Sequence, residues 1–201
     1  MKTLKTVFVA LLVLIITAVQ AQKIKVTNGD LAFLKGQTEV LLEYDFSEMA
    51  VGKFEKEEDY LAKKVAEYNK DEAGKGDTWK EKWISDREGM FYPKFEQLLN
   101  KYTAKADCNF SREHSTAKYT IIVKTTFTEP GFYIGIAKKD AMINLEIKFV
   151  ETANKDNVLA LMTMTNIPGR GGSDIVTGPR IAEAYAKGGK ELGAYLVKKA
   201  F

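Results

Sequence analysis

Residues 141–167, AMINLEIKFVETANKDNVLALMTMTNI, carry the pattern that decides the fold. Ile143, Leu145, Ile147 and Phe149 alternate with Asn144, Glu146 and Lys148, the period of two that turns successive side chains to opposite faces of a strand. Val158 to Ile167 is a second, largely apolar run of strand length. Between them Thr152-Ala153-Asn154-Lys155-Asp156-Asn157 is polar and suits a longer antiparallel loop, so the two runs predict a hairpin. A strand with one apolar face needs another layer to cover it.

Working outward, Tyr119 to Phe127 alternates again, with Tyr119, Ile121, Val123, Thr125 and Phe127 on one side. Glu39 to Phe46 does the same with Val40, Leu42, Tyr44 and Phe46. Between these two strands the period becomes helical. Leu61, Val65 and Tyr68 form a stripe within 53–69, Gly74 and Gly76 interrupt it, and Asp77 or Thr78 is placed to cap a second helix. That helix carries Trp79, Trp83, Ile84, Met90, Phe91, Phe95, Leu98, Leu99 and Tyr102 on one side, which must face a core. Pro93 and Gly89 predict a kink or break near residue 90.

A last helix is predicted from Pro179 to Lys199. Ile181, Tyr185, Leu192 and Tyr195 form one stripe, and Ala182, Ala186, Gly189 and Gly193 form a small one expected to lie close against the sheet. Lys190, Glu191, Lys198 and Lys199 argue against a lipid setting for the Gly189-x-x-x-Gly193 spacing. Lys23 to Val26 reads as an edge strand covering a sheet edge. Phe132-Tyr133-Ile134, set between Pro130-Gly131 and Gly135, reads as a bulged edge. The order strand, two helices, strands, helix predicts the α+β class: an antiparallel or mixed sheet of four to five strands with three helices mainly on one face.

The chain opens with Lys2 and Lys5, an apolar run from Val7 to Val19 broken only by Thr17, and then Val19-Gln20-Ala21. This predicts a cleaved signal peptide over residues 1–21 and a single domain over 22–201, exported to the periplasm or beyond. The run falls short of the roughly 20 apolar residues that span a bilayer. No Cys follows Ala21 to take a lipid, so no stable membrane insertion is expected after cleavage. Loss of Lys2 and Lys5 would lower the formal charge from +3 to +1. Acids and lysines are interspersed, which leaves no basic stripe for nucleic acid.

Composition removes much chemistry. With one cysteine, Cys108, no intramolecular disulfide can form, and Cys108 is expected to be a small buried hydrophobe. With one histidine, His114, the two-His metal sites are excluded. Ser115-Thr116-Ala117-Lys118 has Ser-x-x-Lys spacing but runs into a strand and lacks its partner motifs. No Gly-x-Ser-x-Gly, phosphate loop or calcium loop occurs. No catalytic residue, metal or cofactor is assigned on this basis.

Two segments remain as candidate ligand sites. Pro168-Gly169-Arg170-Gly171-Gly172-Ser173 follows a strand and precedes a helix; glycine amides with Arg170 can face an anion, although a plain crossover loop has the same look. Arg170, Gly171, Gly172 and Ser173 are its candidate residues. Phe132 and Tyr133 are the second candidate, as exposed aromatics on an edge.

Leu31-Ala32-Phe33-Leu34-Lys35-Gly36, Glu43-Tyr44-Asp45-Phe46-Ser47, Glu72-Ala73-Gly74-Lys75-Gly76-Asp77-Thr78-Trp79 and Glu129-Pro130-Gly131-Phe132 together resemble an uncharacterised family of exported proteins from gut-commensal Gram-negative bacteria. The resemblance implies export and carries over no functional residue. More loosely, the element order is similar to small periplasmic assembly modules such as the N-terminal domain of the Tol translocation protein, an analogy of fold. The leading expectation is a non-catalytic envelope protein that binds a protein partner or cell-surface material. The alternatives are a hydrolase of envelope or dietary polymer using a carboxylate pair drawn from Glu129, Asp140 or Asp174, and a small-ligand carrier with a pocket under Trp79 and Trp83.

Overall fold

The computed structural model describes residues 23–170 and 176–201. The expected signal peptide, together with Gly171, Gly172, Ser173 and Asp174, lies outside them. In chain order the elements are β1 (Lys23–Gly29), β2 (Glu39–Asp45), β3 (Ala50–Val51), α1 (Glu57–Asp71), α2 (Lys75–Asp86), α3 (Tyr92–Thr103), β4 (Asn109–Ser111), β5 (Tyr119–Glu129), β6 (Phe132–Tyr133), β7 (Lys138–Lys139), β8 (Ala141–Glu151), β9 (Asn154–Gly169) and α4 (Thr177–Lys199). A π-helical turn, Arg87–Phe91, joins α2 to α3 without a break. It sits where Gly89 and Pro93 predicted a kink: Pro93 brings no N–H to the helical ladder, and the wider turn absorbs the mismatch.

The class is α+β, as expected, but the sheet is larger and differently wired. Seven strands share it, in the order β1-β9-β8-β5-β2-β4, with β3 pairing β5 beyond the end of β2. The β1, β9, β8 and β5 neighbours are antiparallel, whereas β2, β3 and β4 run parallel to their partners, so the sheet is mixed. Parallel pairing of β2 with β5 follows from the helical connection between them, because a crossover returns the chain in its original direction.

The hairpin of β8 and β9 is tighter than a six-residue loop. Glu151 already pairs with Asn154, and the chain turns at Thr152-Ala153. In β5 the alternation slips between Thr125 and Phe127, so Thr128 rather than Phe127 takes the buried position. α2 begins at Lys75, after Gly74 in a left-handed conformation, earlier than the cap expected at Asp77 or Thr78. Phe132-Tyr133 belongs to a separate two-stranded hairpin with β7 and is not an edge of the main sheet. β1 covers the β9 edge as anticipated.

The core lies between one face of the sheet and the helices. Ile143, Leu145, Ile147 and Phe149 of β8, Ile121 and Val123 of β5, and Val40 and Leu42 of β2 are all buried. They meet Phe95 and Leu99 of α3 and Ile181, Tyr185, Leu192 and Leu196 of α4. Their outward neighbours are mostly polar, with exceptions such as Leu41 and Ile122, and carry ion pairs such as Lys155–Glu43 at 2.6 Å and Lys124–Glu48 at 2.7 Å. The aromatic row of α2 is spent on packing. Trp79 and Trp83 contact Tyr60 with ring centroids 5.9 and 5.3 Å away, and Trp83 donates to Glu57 Oε1 at 2.6 Å. The same carboxylate takes Arg87, whose guanidinium lies 4.0 Å from the Phe46 ring centroid.

The small stripe of α4 faces α3 and not the sheet. A methyl group at Gly189 would collide with the carbonyl of Phe95, and one at Gly193 would press on Leu99 and Tyr102. The two helix backbones approach at the distance that only glycine permits. Cys108 is buried with its thiol pKa pushed up to about 11 by loss of water, which leaves almost no reactive thiolate at neutral pH.

Two outcomes follow. Gly189→Ala places a methyl against backbone that cannot yield, so stability falls by about 1–3 kcal/mol despite alanine's better helix propensity; Gly89→Ala, where the added carbon meets open space, is neutral or stabilising by up to ~1 kcal/mol. Urea midpoints of the two variants check this. Burial raises the pKa of Tyr44, Tyr60 and Tyr185 well above the ordinary phenol value. The neutral form is then favoured by folding, so their contribution is complete below pH ~10 and is lost as pH rises past it, by about 1.4 kcal/mol per pH unit for each phenol held neutral. Absorbance at 295 nm should show these tyrosines ionising only as circular dichroism reports unfolding.

Candidate functional site

The strand β5 ends at Glu129, and the chain then turns through Pro130 and Gly131 into the β6–β7 hairpin. Gly131 takes a left-handed φ of 65°, and any side chain there would strike the backbone from Lys139 to Ala141. Glu129 fastens both legs of the hairpin. One carboxylate oxygen accepts the Gly131 N–H at 3.0 Å, and the other accepts Lys139 Nζ at 2.6 Å. Tyr133 pairs with Lys138 and Phe132 with Lys139, so the two aromatics and the two lysines sit side by side across the ribbon.

Arg180 holds the hairpin to the body. It lies in the first turn of α4, is only 6% exposed, and donates to the carbonyls of Pro130 at 3.4 Å and Gly131 at 3.3 Å. Its other terminal nitrogen donates to the Val176 carbonyl at 3.2 Å. A cation in a first helical turn opposes the helix dipole. The cost is accepted because the guanidinium supplies donors where the chain reverses and no strand offers them.

Between the hairpin and the end of β9 lies a cavity of about 390 Å³ lined by Phe132, Tyr133, Lys138, Lys139, Asp140, Gly169, Arg170 and Arg180. The two segments singled out from sequence therefore meet in one place: Arg170 lies on one wall, Phe132 and Tyr133 on the other. Among the described residues, four cations and one carboxylate line the space. The contact between Arg170 Nε and Asp140 Oδ2 is 3.4 Å and exposed on both sides, a pair worth about 0–1 kcal/mol and readily exchanged for another anion. Lys138 makes no ion pair among the described residues.

A second cavity of about 390 Å³ adjoins the first through Arg170 and is lined also by Lys94, Lys187, Lys190 and Glu183. Here Lys94 reaches Glu183 at 3.5 Å and Lys187 reaches Glu191 at 2.8 Å. Among the described residues the linings of the two cavities thus hold more cations than carboxylates.

Lys138, Lys139 and Arg180 escaped the sequence reading. The signal for Arg180 was its place at the helix start, where an acid is normal. The lysine pair shows its meaning only once the hairpin register is known. Of the carboxylates considered for hydrolysis, Glu129 is committed to Gly131 and Lys139, and Asp140 faces Arg170. His114 Nε2 lies 2.7 Å from Asn109 Oδ1, outside this region. Among the described residues no group of three or more His, Cys, Asp or Glu is placed to hold a metal ion, and no helix is long and apolar enough to cross a membrane.

No protein-family model and no curated protein matches the chain. Among solved structures, the PelC dodecamer from Paraburkholderia phytofirmans is similar at 12% sequence identity and a TM-score of 0.41, over 87% of this chain and 99% of that one. A PelC variant from the same organism gives 13% and 0.40 over the same shares. A likeness at this level carries no functional information.

Replacing Arg180 by Ala strips the donors from the Pro130, Gly131 and Val176 carbonyls. Stability should fall by about 1.5–3 kcal/mol, the range for hydrogen bonds to charged groups. Trypsin should also cut at Lys138 and Lys139 faster than in the parent. Urea unfolding and timed proteolysis read the two effects, and Arg180→Lys, with a single point of donation, should recover only part of each.

Proposed function

We propose that the chain is an exported, non-catalytic envelope protein that binds anionic cell-surface material at the cavity between the β6–β7 hairpin and the end of β9. One observation carries the reading: two aromatic side chains and four cations converge on a single cavity at one end of the molecule, with Asp140 the sole carboxylate lining it among the described residues. Cations select charge, and planar rings add apolar contact for a ring or chain next to that charge. Arg170 and Lys138 are the two cations with least to give up on binding, since among the described residues one is held by an exposed pair and the other by none. Export rests on the opening segment, Lys2 to Ala21, and on the resemblance to exported proteins.

The hydrolase reading has less support, because Glu129 is fully engaged by its neighbours. The carrier reading has less as well, because the rings around Trp79 and Trp83 occupy one another's contact surfaces.

The protein should be retained on an immobilised polyanion, such as dextran sulfate, and pass through neutral dextran. Retention should weaken as salt rises from about 0.05 to 0.5 M, where screening shortens the reach of each charge. Lys138→Glu with Arg170→Glu should lower affinity at least tenfold without moving the urea midpoint by more than ~0.5 kcal/mol, both side chains being exposed. Equal retention on both matrices, or an unaffected double variant, overturns the reading.

A further inference from the structure

Four of the seven large apolar side chains that stand exposed among the described residues belong to one hairpin. Phe132 and Tyr133 are 44% and 37% exposed, and beyond them Ile134 is 68% and Ile136 fully exposed. Scattered exposed apolar residues are ordinary on a protein surface, whereas a contiguous group signals contact with something else. Val176, 49% exposed, stands on the same rim, since Arg180 binds its carbonyl and those of Pro130 and Gly131.

The turn does not require these isoleucines. Gly135, at a φ of 75°, supplies the reversal, and the Ile134 N–H closes on the Ala137 carbonyl at 2.9 Å. Such turns ordinarily carry polar residues on either side of the glycine. Nothing lies within 4 Å of a carbon added at Gly135, so the tip projects free of the body. Behind it come Lys138 and Lys139, with Arg170 across the cavity. From tip to base the order is therefore aliphatic first, then aromatic and cationic side by side.

That order matches the layers of a lipid surface. Acyl chains accept isoleucine, the headgroup zone favours aromatic rings, and anionic phosphates attract lysine and arginine. Ile136 and Lys138 are two residues apart, about 7 Å along an extended strand, within the roughly 5–10 Å depth of interfacial segments. A second copy of the chain fits less well, because symmetric contact between tips would bring two cationic collars together.

We propose that the β6–β7 hairpin docks the protein reversibly on an anionic bilayer, with Ile134 and Ile136 among the upper acyl chains, Phe132 and Tyr133 at the headgroups, and Lys138, Lys139 and Arg170 against phosphate. This rests on the anion-binding reading above and names the surface that the site meets. Arg180 and Glu129 act as positioning residues that hold the base of the hairpin rigid while its tip inserts.

The test reads the tip itself, so residues 1–22 cannot produce a positive result. In the full chain, Ala137→Cys is labelled with an environment-sensitive nitrobenzoxadiazole; buried Cys108 does not compete. Vesicles of phosphatidylcholine with about a third phosphatidylglycerol should blue-shift and brighten the probe several-fold, and pure phosphatidylcholine should not. The same label at Val158→Cys, on β9, should stay unchanged. Ile134→Asn with Ile136→Asn should abolish the tip probe's response to vesicles while retention on dextran sulfate persists, and Lys138→Glu should lower both at least tenfold. A silent tip probe alongside intact polyanion binding sinks the membrane proposal and leaves the anion site standing. Failure of both sinks both, and a probe shift that follows protein concentration without lipid assigns the tip to a second copy and overturns the proposal.

Discussion

The close passage of α4 across α3 is the contact from which the rest of the arrangement follows. With Gly189 against the Phe95 carbonyl and Gly193 against Leu99, the two helices share one layer above the sheet, and α4 can settle onto β8 and β9 at the same time. A larger residue at either position would lift the helix away from its neighbour. Tyr185 would then lose its hydrogen bond to Thr125, 2.6 Å away inside the core, and its stacking on Phe91 at 4.9 Å. Dispersion contacts are short-ranged, so a lift of an ångström forfeits much of the layer's cohesion.

The same placement delivers Arg180 to the base of the hairpin. A helix start is a poor place for a cation on electrostatic grounds, and the core is a poor place for any charge. Both costs are offset because the guanidinium fan satisfies carbonyls of Pro130, Gly131 and Val176, in two chain segments that have left regular structure. The stability of the body and the position of the exposed site thus run through one side chain. The tip adds nothing to the core, so its composition is free to answer to a partner.

Much of the architecture is legible in the chain's local patterns. Strand periodicity placed β2, β5, β8 and β9, helical periodicity placed the helices, and Pro93 with Gly89 marked the π-turn. The site was half legible. Arg170 stood out in a glycine-rich connection and Phe132 with Tyr133 stood out as aromatics between glycines, yet nothing in their spacing said that they face each other. Lys138 and Lys139 gain their meaning only from the strand pairing that sets them beside the aromatics. Arg180 belonged to neither stripe of the last helix, and its role shows only in the contacts it makes with the hairpin base.

The division has a physical cause. Side-chain period, turn residues and proline positions are properties of neighbours in sequence, so the α+β class, the element boundaries to within a few residues and the buried faces could be read along the chain. Strand direction, the slip in β5, the partner of the glycine stripe and the union of two distant segments into one cavity depend on contacts between residues far apart in the chain. Such contacts are chosen by competition among all the apolar faces at once, and no local window contains that competition.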